Sequence, residues 1–400
     1  MGNILLPKAE IDPSAGGHPS QRILVRGVNW LGDAVMTTPA LDRLREARPR
    51  ARITLLSDAK LADLWQHHPS LDSVLTFTSS DNVWQIARRL RREKFDLALV
   101  LPNSPRSALE VWLAGIPMRI GYAASWRSWF LTRPLPPRSG AVSTRKRSVA
   151  EIRLLVQAAT PKKNPAEVTA HHIFQYLHLV AEGMGASPAP VAPRLVVACD
   201  EIESVKSRFA IPAERIDPRP LFGMNPGAEY GPAKRWPRER FVAAGIEVQR
   251  RTRCRWLILG GKNDIELCAS IANELRRAAE QFLGRDEVTK NPLVVNLAGA
   301  TTLRELCAVL KTCAVVLTND TGPMHVAAAV GTPVVVPFGS TSPELTGPGL
   351  PGDPRHRLLT CEAPCSPCFR RECPIDFRCM TGIAVEQAVA AVLEAAALNS

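Results

Sequence analysis

Long apolar runs are missing from this 400-residue chain. No stretch approaches the roughly 20 uninterrupted apolar residues of a membrane-spanning helix, which excludes a helical channel or carrier. The opening MGNILLPKAEIDPSAGGHPSQR has no charged segment leading into an apolar one, so it does not read as a secretory signal. Leu6 stands where a myristoylation motif wants Ser or Thr. Residues 1–20 are therefore expected to form a flexible tail, and the protein is expected in the cytoplasm. Aromatic residues are scarce, at 6%, and no recognition-module signature is present, which counts against nucleic acid.

Acidic residues are short in one half only. Residues 1–190 hold 25 Lys and Arg against 15 Asp and Glu, whereas residues 191–400 hold 25 against 23. Most of the net +12 thus sits in the first half and would attract an anionic partner, such as an acidic membrane surface or a phosphorylated substrate. A merely solvated basic face is the plainer account of runs such as Arg88 to Arg92.

What the chain does have is alternation. Strands at 22–25, 53–57, 73–77 and 95–101 are expected between helices at 34–48, 60–67, 82–92 and 104–114, followed by an irregular stretch over 122–150 and helices at 149–159 and 171–184. After the Pro- and Ala-rich 185–193 the pattern restarts. Strands at 221–225, 256–260, 293–297, 314–318 and 334–338 then alternate with helices at 238–251, 264–279, 303–311 and 324–330. This predicts an α/β fold of two doubly wound Rossmann-like domains facing across a central cleft. The divisions are 21–187, a linker at 188–194, 195–382, and a helix at 383–400 expected to pack back on the N-terminal domain.

Three loops at carboxyl ends of strands carry candidate chemistry. In RGVNWLGD (26–33), Asp33 precedes a helix and reads either as its N-cap or as a general base. In NPGAEYGPAKRWP (225–237), Gly227 and Ala228 keep the loop slim, and Lys234 with Arg235 suits a diphosphate better than plain solvent. In TNDTGPMH (318–325), Asn319 and Asp320 favour a turn or a helix cap, and the helix that follows opens a ready anion site.

ILVRGVNWLGDAVMTTPAL (23–41), LPNSPRSALEVWLAGIPMRIGY (101–122), PGAEYGPAKRWP (226–237) and TNDTGPMHVAAAVGTPVVVPFGSTSP (318–343) together resemble glycosyltransferase family nine, the lipopolysaccharide heptosyltransferases. The resemblance covers roughly residues 21–395 in the right order. It implies a GT-B fold with an acceptor-binding first domain and an ADP-sugar-binding second domain. It implies inverting transfer of heptose from ADP-L-glycero-D-manno-heptose to the heptose of the lipopolysaccharide inner core. The partners would be an ADP-heptose donor and a Kdo-lipid A-heptose acceptor at the inner leaflet, with peripheral contact to the inner face of the cytoplasmic membrane. Asp33 maps to the catalytic aspartate. Lys234, Thr321, Gly322, Gly227 and Ala228 map to the donor site, with Asp320 and His325 fixing the turn or touching phosphate. Asp264 is the ribose candidate, although LGGKND (259–264) departs from the family's shorter pattern. Asn29, Trp30 and Asn103 map to the acceptor side. No cofactor and no metal are implied, and the cleft loops hold no DxD-type motif.

Five of the ten cysteines crowd into CEAPCSPCFRRECPIDFRC (361–379). A CxxC with further cysteines nearby could hold zinc or an iron–sulfur cluster, but the spacing is not that of a standard zinc ribbon and reduced structural cysteines are the expectation. Cys199, Cys254, Cys268, Cys307 and Cys313 read as buried small hydrophobes. Rival functions are transfer from another nucleotide sugar or to another core acceptor, a GT-B-fold nucleotide-sugar epimerase, and a metal-dependent binding protein built on the Cys loop.

Overall fold

The computed structural model describes residues 4–5, 21–142, 144–158, 167–212 and 217–398. The chain divides into two compact units. The first comprises residues 1–141 and 169–196, and the second 142–168 and 197–400.

The first unit is built on β1 (Ile4–Leu5), β2 (Arg22–Arg26), β3 (Arg52–Asp58), β4 (Ser73–Phe77), β5 (Leu97–Val100), β6 (Met118–Tyr122) and β7 (Arg133–Leu135). The sheet order is β1-β4-β3-β2-β5-β6-β7, parallel throughout except β1, which runs antiparallel to β4. The expected tail over 1–20 lies outside the described residues, apart from Ile4–Leu5, which form this edge strand rather than a loose end. The interior of β2 and all of β5 read as apolar runs because both faces of the sheet are covered: Leu24, Leu56 and Val100 share a core with Ile86, Leu90 and Val111, and Ile23, Val25 and Leu99, at alternate positions, are buried as well.

The second unit contains β8 (Leu221–Asn225), β9 (Arg255–Ile258), β10 (Val294–Asn296), β11 (Val315–Thr318), β12 (Val334–Pro337) and β13 (Arg357–Leu359). They form one parallel sheet in the order β10-β9-β8-β11-β12-β13. Setting β1 aside, both sheets follow the doubly wound order 3-2-1-4-5-6. The order reverses between β2 and β5 in one unit and between β8 and β11 in the other.

Two boundaries differ from those read off the sequence. The segment 144–158 belongs to the second unit, because Ile152 and Val156 on the helix Val149–Gln157 pack into its core. The closing helix, Val385–Ala397, does not spend its apolar face on the first domain. It lies on β11, β12 and β13 and on the helix Arg238–Thr252, with Val389, Val392 and Ala395 in the second unit's core. The proline-rich linker is fastened to the first unit, since Arg194 donates to Asp42 at 2.8 Å and its backbone N–H to the Thr38 hydroxyl at 3.1 Å.

Candidate active site

In the second unit, the loops after β8 and β11 leave neighbouring strands where the sheet order reverses. Such loops diverge to opposite faces and leave a crevice for ligand. Asn319 fastens them together. Wholly buried, it accepts the Trp236 N–H at 2.9 Å and donates to Pro226 O at 2.7 Å and Gly227 O at 3.5 Å. With Asn319 spent in this way and Asp320 engaged next to it, neither caps the following helix. Thr321 is the N-cap of Gly322–Ala329 instead. The first turn of that helix has N–H groups without intrahelical acceptors and carries the positive end of the helix dipole.

Asp320 and Lys234 meet across the same two loops, Nζ to Oδ2 at 2.6 Å, and the Thr341 hydroxyl after β12 donates to the same oxygen. The Lys234 ammonium stands 4.8 Å from the centroid of the Tyr230 ring, whose other cation is Arg371 at 5.3 Å. Asp264 reaches in from the loop after β9, accepting the Gly261 N–H at 3.1 Å and pairing with Arg235 at 3.4 Å. A Cβ on Gly227 would lie 2.3 Å from the Asp264 carboxylate, so close approach requires glycine at this position. The fold therefore gathers Gly227, Ala228, Lys234, Asp264, Asp320, Thr321 and Gly322 around one loop pair. Ala228 and His325 are buried, so the Ala228 methyl and most of the His325 ring are turned into the fold.

The Cys-rich loop braces this arrangement. Tyr230 donates to Phe369 O at 2.8 Å and Ala233 N–H to Arg371 O at 2.9 Å, while the N–H groups of Cys368 and Phe369 donate to Ser340 O. Gly231 sits at φ +149°, and a Cβ there would strike Arg371 O. Burial pushes the Cys379 thiol up to about 12 and raises those of Cys365 and Cys368. Among the described residues no group of three His, Cys, Asp or Glu is placed to hold a metal ion. Of the remaining cysteines, Cys254, Cys268, Cys307 and Cys313 are buried as expected, but Cys199 is exposed because it opens a surface helix.

In the first unit, Asn29, Trp30 and Asp33 follow β2, and Asn103 follows its neighbour β5. Asp33 is not the N-cap. That position is Trp30, and Asp33 lies in the first turn of Leu31–Met36. The Tyr176 hydroxyl donates to Asp33 Oδ1 at 3.5 Å. Burial, then the Asp33 charge, holds the Tyr176 phenol well above its usual range. Burial lowers the pKa of nearby His172, with Asp33 opposing it. Asn29 is exposed but held by Arg26 at 2.9 Å, and Arg26 is itself fixed by buried Glu110 at 3.0 Å and stacked over Phe77. Trp30 is half exposed, with the Lys60 ammonium over its ring, and Asn103 is exposed.

Sequence reasoning missed Asn319 as a fastener and also missed Thr341, Tyr230, Tyr176 and His172. Asn319, beside Asp320, and Tyr230, in the same loop as Lys234, left local signals, whereas Thr341, Tyr176 and His172 come from distant segments.

The model of "Glycosyltransferase family 9 (heptosyltransferase)" matches residues 83–377. The chain is 28% identical over 341 residues to lipopolysaccharide heptosyltransferase 2 of Escherichia coli K12, covering 82% of this chain and 85% of that protein. It is 29% identical over 334 residues to the same-named protein of Salmonella typhimurium LT2, again covering 82% and 85%. Among solved structures, E. coli ADP-heptose LPS heptosyltransferase II superposes with a TM-score of 0.67 at 25% identity, over 94% of this chain and 99% of that one. A family 9 glycosyltransferase from Veillonella parvula gives 0.70 at 22% identity, over 95% and 98%, which speaks for the fold alone. The two doubly wound units are thus those of a GT-B fold. With a family match spanning most of its length, the chain belongs to glycosyltransferase family 9 and is a glycosyl-transferring enzyme.

Proposed function

We propose that the protein transfers heptose from ADP-heptose to the heptose of a Kdo-lipid A inner core by single displacement with inversion. The observation that supports this most is the Lys234–Asp320 pair, closed across two loops at the sheet's reversal point beside a helix N-terminus, in a chain aligned to heptosyltransferase 2 proteins over four fifths of its length. Lys234 is held by Asp320 and by the Tyr230 ring before donor arrives, so the positive charge needs little reorganisation when the diphosphate departs.

Asp33 takes the proton of the acceptor hydroxyl as its oxygen attacks the anomeric carbon. The bond from that carbon to the diphosphate oxygen breaks, and ADP leaves towards Lys234 and the helix at Gly322. In this reading Asp264 meets the ribose, and Asn29, Trp30 and Asn103 meet the acceptor. The enzyme works at the inner face of the cytoplasmic membrane, where its acceptor is anchored. Among the described residues no helix is long and apolar enough to cross a membrane.

The test is to incubate the protein with ADP-heptose and Kdo-lipid A already carrying one heptose, and to read the product by mass spectrometry. One added heptose is expected. No addition to this acceptor, or equal use of a hexose donor, would refute the assignment.

A further inference from the structure

Two of the chain's eight tryptophans stand almost wholly in solvent on one short turn. Trp126, at the N-cap of the single turn Arg127–Phe130 between β6 and β7, is 80% exposed, and Trp129, within that turn, is 83% exposed. Tryptophan is among the costliest side chains to leave in water, and exposed apolar patches on soluble chains mark interaction surfaces. The turn is built firmly. Arg127, wholly buried between the two tryptophans, donates to Tyr122 O, to Val100 O at 3.2 Å and to Pro102 O at 2.8 Å. Ser128 Oγ donates to Ala124 O at 3.0 Å. Trp126 sits at φ +62°, in the left-handed region that a bulky side chain seldom adopts without functional reason. On one flank Trp112, 45% exposed, packs on Phe130 with ring centroids 5.6 Å apart.

The chain on either side of the turn carries charge of one sign, although Glu182 lies beside Arg133 from a later helix. From residue 111 to residue 141 the chain contains Arg119, Arg127, Arg133 and Arg138 and no Asp or Glu. Arg119 donates to Phe130 O at 2.8 Å, Arg133 to Gly183 O and Glu182 O, and Arg138 to Thr169 O. Their guanidiniums are held by carbonyls, and among the described residues none is paired with a carboxylate. Exposed indoles among unneutralised arginines suit an anionic bilayer, where tryptophan settles at headgroup depth and arginine meets lipid phosphate. A protein partner would need an acidic groove shaped around the indoles and arginines, whereas a bilayer needs only its headgroup phosphates.

We propose that the Trp126–Trp129 turn is a membrane-interface anchor that inserts its two indoles into an anionic lipid surface, with the exposed Arg133 and the partly exposed Arg119 and Arg138 at the headgroups while buried Arg127 holds the turn. This deepens the reading of a lipid-linked acceptor and rests on it.

The full-length protein is floated with vesicles of phosphatidylcholine alone and of phosphatidylcholine with phosphatidylglycerol in equal parts. The comparison is with Trp126→Ser/Trp129→Ser and with Trp129→Ser alone, the latter in case the double variant fails to fold. Heptose transfer to a water-soluble, deacylated acceptor is measured in parallel. Expected are binding to the anionic vesicles, a blue shift of tryptophan emission, quenching by brominated acyl chains, and affinity lower by about tenfold in the double variant and by less in the single one. Melting temperature and turnover on the soluble acceptor should be unchanged. Equal vesicle binding by wild type and variants, or no quenching by brominated lipid, would overturn the anchor. So would a wild-type dimer that the substitutions convert to monomer without changing vesicle affinity, since a second copy would then cover the turn. If wild type binds vesicles through the tryptophans but transfers no heptose, the assigned reaction fails and the anchor stands.

Discussion

Asp33 shows how much one residue's role depends on its neighbours in space. By spacing alone it served equally as a helix cap or as a base, but Trp30 holds the cap position and the Asp33 carboxylate, in the first turn, accepts from Tyr176. Asp33→Asn keeps the size and the acceptor for Tyr176 but removes the basic oxygen. Turnover should fall by about 10²-fold or more with ADP affinity and melting temperature nearly unchanged. A variant of near-normal rate, measured under saturating substrates, would remove Asp33 from the chemistry. Lys234→Ala acts differently, because it removes one partner of a largely buried ion pair and leaves Asp320 with the Thr341 hydroxyl. ADP affinity measured by calorimetry should drop by about tenfold or more. Stability should fall by about 3 kcal/mol, the low end for breaking a buried pair. Unchanged ADP affinity would take Lys234 out of the donor site.

At the scale of elements, the proposed donor site rests on two loops pinned by one amide. Asn319→Ala would strip the partners from the buried Trp236 N–H and Pro226 carbonyl, at about 1–3 kcal/mol for each group left unsatisfied. The expected result is a lower denaturant midpoint with unchanged slope, together with weaker ADP binding. Full stability would mean that the loops are held by other contacts.

The alternation of strands and helices was legible because buried parallel strands read as apolar runs and helices carry their own caps, such as the Asn82–Gln85 capping box. Strands β6 and β7 were not. The first, MRIGY, follows Pro117 and carries Arg119 and Gly121 in its interior, and the second is a three-residue edge strand containing Pro134, too short to show a period. One expected helix is broken at Thr37, where Thr37 and Thr38 turn their hydroxyls back to Ala34 O and Val35 O, ahead of Pro39, which has no N–H to continue the ladder.

Across the whole molecule, each unit buries a neutral histidine. Burial, against the pull of Asp42 and with the help of Arg194, brings His68 down from 6.5 to about 4. Burial, against Asp353 and with Arg355, does the same to His356, also to about 4. Each Nδ1 accepts a backbone N–H, from Ser70 at 3.3 Å and from Val334 at 3.4 Å, and a proton there would break that bond. The folded pKa lies below the unfolded one, so between pH 6.5 and about 4 the unfolded chain binds more protons and stability falls as pH falls. Each histidine contributes a slope approaching 1.4 kcal/mol per pH unit, and the loss is complete below about pH 4. Melting followed from pH 8 to pH 5 should be flat at first and then decline, and His68→Gln with His356→Gln should flatten the decline. A decline of the same steepness in the double variant would assign it to other groups.

The sequence alone determined the fold class, the two-unit plan and the three loops proposed to carry chemistry, because alternating apolar periods, glycine-bearing turns and strand–loop–helix junctions are local properties. Tertiary structure alone decided which side chains meet. It set Lys234 against Asp320 and Asn319 against Trp236, and it brought Tyr176 to Asp33 from a helix 143 positions away. It also assigned the helices Val149–Gln157 and Val385–Ala397 to the second unit. An amphipathic helix shows in its sequence that it has a face to bury, but not which core will take it. The order in which strands join a sheet, and hence which loops become neighbours, is set by packing over the whole domain rather than by any local run of residues.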